Sequence, residues 1–173
     1  LALVRGSPAS SSRAERAIVI LQAQSLLDRG DPARAAAMLR PYAGEGSRPP
    51  LLLGAQIALA AAQPAGTDSA PLRAHVAELQ TWVAVHPDDS LAWTVLGQSW
   101  SRLGMPLRSL RAEAEARFAL GDLVGAADRL RAGQRLVRTG GSTDFIDASV
   151  IDSRLRVVET QRKQIEAEQR ASR

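Results

Sequence analysis

A chain of 173 residues with 45% hydrophobic but only 3% aromatic residues has room for one domain or one short repeat array. It contains no Cys, which excludes disulfides and thiolate chemistry, and no apolar run near the roughly 18–20 residues that cross a bilayer. The net charge of +4 divides into +3 over residues 1–50, −2 over 51–103 and +3 over 104–173, and the basic residues of the last segment alternate with acids. That alternation suits a solvated helix surface rather than a nucleic-acid stripe, so no nucleic-acid partner is expected.

Ala, Leu and Val supply most of the apolar content, and no stretch alternates apolar and polar residues over a strand's length, so the chain reads as all-α. Residues 1–11, with Gly6, Pro8 and a serine run, read as a linker or the tail of a preceding domain. The opening LALVRGSPASSS lacks a basic start followed by an apolar core, so no signal peptide is read there, and the missing initiator Met fits a fragment. Ser12 and Glu15 form a capping box that predicts a first helix, stopped by Gly30. Asp31-Pro32 opens a second helix, which fades near Pro41-Tyr42. A loop over Gly44–Pro50 precedes a third helix from about Leu51 to Ala62, and a second loop spans Gln63–Ser69.

Pro71 opens a fourth helix carrying Val76, Leu79, Trp82 and Val83, which ends at His86-Pro87. Asp88 is placed to cap the fifth, Ser90 to Leu103; Gly104 ends it and Pro106 begins the sixth. Gly121-Asp122 makes the turn into the seventh, which runs to about Arg138. After Gly140-Gly141-Ser142, Asp144 caps a long last helix whose apolar face is marked by Phe145, Ile151, Leu155, Val158 and Ile165. Beyond Ile165 it is almost wholly polar, and its end is expected to project or fray.

The turns recur. Trp93, Leu96-Gly97, Trp100 and Leu103-Gly104 follow one another, and Leu120-Gly121 comes 17 residues after Leu103-Gly104, half of a 34-residue helix–turn–helix period. The expected architecture is a tetratricopeptide-like solenoid of antiparallel helix pairs, about seven to eight helices over residues 12–139, with a hinge and long C-terminal helix over 140–173. A plain helical bundle is the alternative. Gly97 and Ala126 would lie at close helix crossings, with Trp93 and Trp100 filling the space beside them. Trp82, Trp93 and Trp100 are assigned to packing, with a peptide groove as the other reading.

The two His, His75 and His86, belong to no H-E-x-x-H, and no phosphate-cradling glycine motif or nucleophile elbow is present. Glu113 and Glu115, two apart, face different sides of their helix. Asp88-Asp89 reads as capping, and Asp144, Asp147 and Asp152 as charge pairs within the last helix. No catalytic residue, metal ligand or cofactor is assigned, and the chain is not expected to be an enzyme. Such repeats instead build concave surfaces for protein or peptide. By position in the repeat, the groove-facing residues would be Gln24, Gln56, Thr94, Gln98, Ser101 and Arg102, followed by Arg108, Arg111 and Glu115.

From Pro87 onward, PDDSLAW, LRSLRAEAEARFALGDLVGAADRL and DFIDASVIDSRLRVVE together resemble the C-terminal repeat domain of bacterial periplasmic zinc metalloproteases, the beta-barrel assembly-enhancing protease and its relatives. The most specific parts are Ala114–Leu130 and Asp144–Leu155; the likeness covers residues 70–160 well and the first 65 loosely. It implies a periplasmic location and contact with the outer-membrane assembly machinery or misassembled barrel proteins. It also implies packing on, and regulation of, the protein's own protease domain. The zinc and its H-E-x-x-H ligands would belong to that domain alone. A stand-alone adaptor with no enzyme attached is the alternative.

Overall fold

A computed structural model of the chain describes residues 8–62, 69–140 and 144–172, with side chains from residue 12 onward. Over these the fold is all-α, with eight helices and no strand. They are α1 (Pro8–Asp28), α2 (Pro32–Leu39), α3 (Arg48–Ala61), α4 (Ala70–Val85), α5 (Ser90–Arg102), α6 (Pro106–Ala119), α7 (Leu123–Arg138) and α8 (Phe145–Ala171), with a 3-10 turn at Arg40–Tyr42 after α2.

One kind of turn is used three times. Gly30, Gly104 and Gly121 each sit in the left-handed region, at φ of +79°, +73° and +78°. After each, the next amide reaches back five residues: Asp31 to the Leu26 carbonyl, Met105 to Trp100 and Asp122 to Arg117, at 3.0, 2.9 and 2.9 Å. This is the Schellman ending, and it satisfies carbonyls that the helix leaves open while turning the chain sharply. The next helix then starts at once, from Asp31 whose carboxylate accepts the Arg34 amide, from Met105 ahead of Pro106, and from Asp122 whose carboxylate accepts the Gly125 amide. Consecutive helices are therefore forced into antiparallel neighbours.

Three starts differ from expectation. α1 begins at Pro8, so Ser12 lies inside the helix rather than capping it; Pro at a first helical position lacks only an N–H that would be unbonded anyway. The same reasoning moves α3 forward to Arg48, with Pro49 and Pro50 in its first turn. The cap of α5 is Asp89, not Asp88: its carboxylate accepts from the Ala92 amide at 3.2 Å. Of the expected breaks at Gln63–Ser69 and Gly140-Gly141-Ser142, all but Ser69 and Gly140 lie outside the described residues.

Each helix packs on its neighbours in the chain, and the core forms three joined clusters. Ala23, Ala35, Leu39, Leu53 and Ile57 join α1, α2 and α3. Leu52, Leu79, Leu96, Trp100 and Ala112 join α3 to α6. Leu107, Ala126, Leu130, Ile151 and Val158 join α6, α7 and α8. Next-but-one contacts follow the odd helices at first, α1 on α3 and α3 on α5, but then change to α6 on α8, without close packing of α5 on α7. α6 is the helix where this change of layer happens. It carries small residues on several sides, with Ser109, Ala112, Ala114 and Ala116 all buried, because α5, α7 and α8 all meet it.

The α8 face is narrower than its pattern suggested. Ile151, Leu155 and Val158 are buried, but Phe145 is 83% exposed. Phe145 precedes Ile151 by six residues, which at about 100° per residue rotates it roughly 120° off the buried face. Ile165 keeps the right phase yet is 38% exposed, so burial on this face runs out after Val158.

Candidate functional site: an apolar groove between α2, α3 and α4

α2 and α4 flank α3 without packing closely on each other, and the space between them is an apolar groove of about 780 Å³. Its floor comes from α3 through Gly54, Ile57 and Ala58, one wall from α2 through Ala33 and Ala36, and the other from α4 through His75, Glu78, Trp82 and Val85. The α4 residues recur at steps of three, four and three, one stripe of a helix. Of the apolar residues expected on this helix, Val76, Leu79 and Val83 are buried, whereas Trp82, expected to pack with a groove as its other reading, lies on the adjacent stripe, whose His75, Glu78 and Val85 the sequence does not assign to a groove. That stripe was visible as spacing; what could not be read was that α2 stands away from it.

Both histidines lie here. The His75 ring covers Gly54 so closely that a Cβ there would stand 2.8 Å from its Cε1, and its Nδ1 is 3.2 Å from the Glu78 carboxylate. Glycine at position 54 thus allows α4 to lay a ring against α3. His86 stacks on Trp82 with ring centroids 3.9 Å apart and planes 8° from parallel.

Trp82 is both groove wall and part of an anchor. Its indole N–H donates to Asp89 at 2.9 Å, and Arg48 donates to the same carboxylate through two nitrogens, at 2.6 and 2.8 Å. With the Ala92 amide, one nearly buried carboxylate ties the starts of α3 and α5 to the end of α4. The Arg48 hydrogen bonds, helped by those from Trp82 and Ala92, hold the Asp89 carboxyl far below the usual carboxylate range, and the pairing raises Arg48 in turn. Nothing in the local sequence singles out Arg48, 41 residues away, as the partner of Asp89.

The nine residues expected to line a groove are distributed otherwise. None of them lines this one. Gln24 donates to Asp28 at 2.8 Å along α1, and Gln56 is half-buried on α3. Thr94, Gln98 and Ser101 are exposed on α5; the Thr94 hydroxyl donates to the Ser90 carbonyl, and Arg102 to the Ala62 carbonyl at 2.8 Å. Arg108 and Glu115 are engaged by α8. Arg108 donates to Asp147 at 2.8 Å and lies over the Trp100 ring; Glu115, 8% exposed, accepts two hydrogen bonds from Arg154, at 2.8 and 2.7 Å. Arg111 is half-buried between them.

This also corrects the acid pairs of α8. Asp147 pairs with α6 and Asp152 accepts from Gln134 of α7 at 2.7 Å, while Asp144 caps the helix as expected, accepting the Ile146 and Asp147 amides. The partners are across helices because α8 lies along both α6 and α7 and meets them with its polar edges. Glu113 and Glu115 do point apart, Glu113 toward Arg129 of α7 and Glu115 toward α8.

Among the described residues no three His, Cys, Asp or Glu side chains gather where they could hold a metal ion, and no helix is long and apolar enough to cross a membrane. A scan of known protein families gave no match, and a search of curated proteins gave none either.

Proposed function

We propose that this chain is a non-catalytic, protein-binding helical repeat domain of the tetratricopeptide kind. It serves beside a zinc metalloprotease domain in the bacterial periplasm, recruits or positions outer-membrane assembly partners or misfolded substrates, and regulates the protease. The observation that carries the binding role is the open apolar groove held between helices that stack in chain order. Support for the protease link comes from the sequence: the Ala114–Leu130 run holds the end of α6, its Schellman turn and the first half of α7, and the Asp144–Leu155 run caps α8 and fastens it. Metal chemistry, in this reading, is confined to the protease domain.

The coding frame upstream of Leu1 tests the link. An H-E-x-x-H in that frame is expected. A frame without it removes the protease and leaves a stand-alone adaptor, whose binding role rests on the groove alone.

A further inference from the structure

The groove is apolar, yet charge enters it in a directed way. Arg40 stands at the end formed by the 3-10 turn, where Glu45 is already paired with Arg16 at 3.3 Å. Glu78 stands on the α4 wall. Its side chain is 48% exposed, and its carboxylate meets the His75 ring at 3.2 Å; among the described residues no Arg or Lys pairs with it.

The shape has a direction too. Glu78, Trp82 and Val85 recur at steps of four and three along α4, and Val85 is 71% exposed at the rim. The opposite wall and the floor present Ala33, Ala36 and Ala58, which keep the groove wide enough for a backbone to come close. A ridge at helical spacing facing a wall of small residues is how helices accept one another in a groove.

We infer that the groove seats an amphipathic helix of a partner protein, apolar face inward, with a Lys or Arg on its edge beside Glu78. This rests on the protein-binding reading above but not on the protease link. The seat lies on the side of α2 and α4, away from the α1–α3–α5 contacts, so Gln24, Thr94 and Gln98 take no part in it.

Three fluorescein-labelled 18-residue peptides test this by anisotropy against the whole chain. One has Leu at i, i+4 and i+7 with Lys along one edge, the second has Glu in place of Lys, and the third is the first with its order scrambled. The Lys peptide should bind saturably, and the Glu and scrambled peptides about tenfold or more weaker, a factor worth about 1.4 kcal/mol. Glu78→Lys should reverse the preference between the Lys and Glu peptides. Ala36→Trp, at an exposed wall position, should weaken both, with circular dichroism confirming that both variants fold.

Absence of saturable binding, or equal binding by the two charged peptides, overturns the inference. Saturable binding indifferent to both variants also overturns it while leaving the domain a binder elsewhere. A self-dimer abolished by Ala36→Trp, seen by light scattering, would assign the groove to a second copy instead.

Discussion

Asp89 shows how much a single side chain can hold. One carboxylate receives Arg48, Trp82 and the Ala92 amide, and so joins three helix ends. Because its folded-state pKa lies below the ordinary value near 3.9, the unfolded chain binds more protons in the acid range. Its contribution is therefore complete above about pH 5 and is lost as pH falls through about 4 toward the depressed folded value. Asp89→Asn should cost about 1–3 kcal/mol at pH 7, since Asn still caps α5 but leaves Arg48 without its charge. Urea unfolding at several pH values should show that gap shrinking below about pH 4; a gap constant from pH 7 to 3 would contradict the ionic role. The sequence announced a cap at Asp88-Asp89 because capping is local chemistry. Which of the two acids it was, and that it also bound Arg48, depended on contacts between distant segments. Trp82 was legible only in part for the same reason: its apolar body packs on the core, while its edge lines the groove.

At the scale of helices, punctuation was the readable part. Gly30, Gly104 and Gly121 stop their helices because a Schellman turn needs a left-handed residue, and Asp or Pro restarts them. Prolines misled at two starts, where Pro8 and the Pro49-Pro50 pair read as loop but sit in first turns. Close crossings were legible from glycine. A Cβ on Gly97 would stand 3.4 Å from the Ser109 carbonyl oxygen and 3.5 Å from the Ala112 Cβ, so α5 and α6 meet there nearly backbone to backbone. Gly97→Leu should push the two apart and cost about 1–3 kcal/mol. An unchanged thermal midpoint would mean that this crossing is not tight. Arg102→Glu, exposed on the same helix, loses one hydrogen bond to the Ala62 carbonyl and should stay within about 1 kcal/mol of the parent by denaturant titration.

For the whole molecule, α8 is the deciding element. It lies along α6 and α7, buries Ile151, Leu155 and Val158, and occupies Arg108 and Glu115, which a reading by repeat position had left for a ligand. Repeat spacing fixes which face a residue occupies but not which helix comes to cover it. The groove was missed for the converse reason: its residues look like ordinary surface until α2 is seen to stand apart from α4. A chain ending after Lys163 should unfold within about 0.5 kcal/mol of the full chain, because residues 164–172 are exposed. One ending after Ala148 strips the cover from Leu130 and should lose about 5 kcal/mol or more, given the usual 2–5 kcal/mol for each large buried side chain removed. Calorimetry on the two truncations separates these outcomes.

The packing of each helix on those next to it in the chain also bears on how the molecule is made. Its pairings close short loops rather than long ones, and helical chains with such low contact order fold in microseconds to milliseconds. Synthesis at roughly 5–20 residues per second is far slower. The cluster shared by α1, α2 and α3 can therefore settle as soon as α3 has left the ribosome, before α8 has been translated. With α4 still to come, the α3 face that will floor the groove is exposed to the cell during that interval, longest at the slowest translation rates.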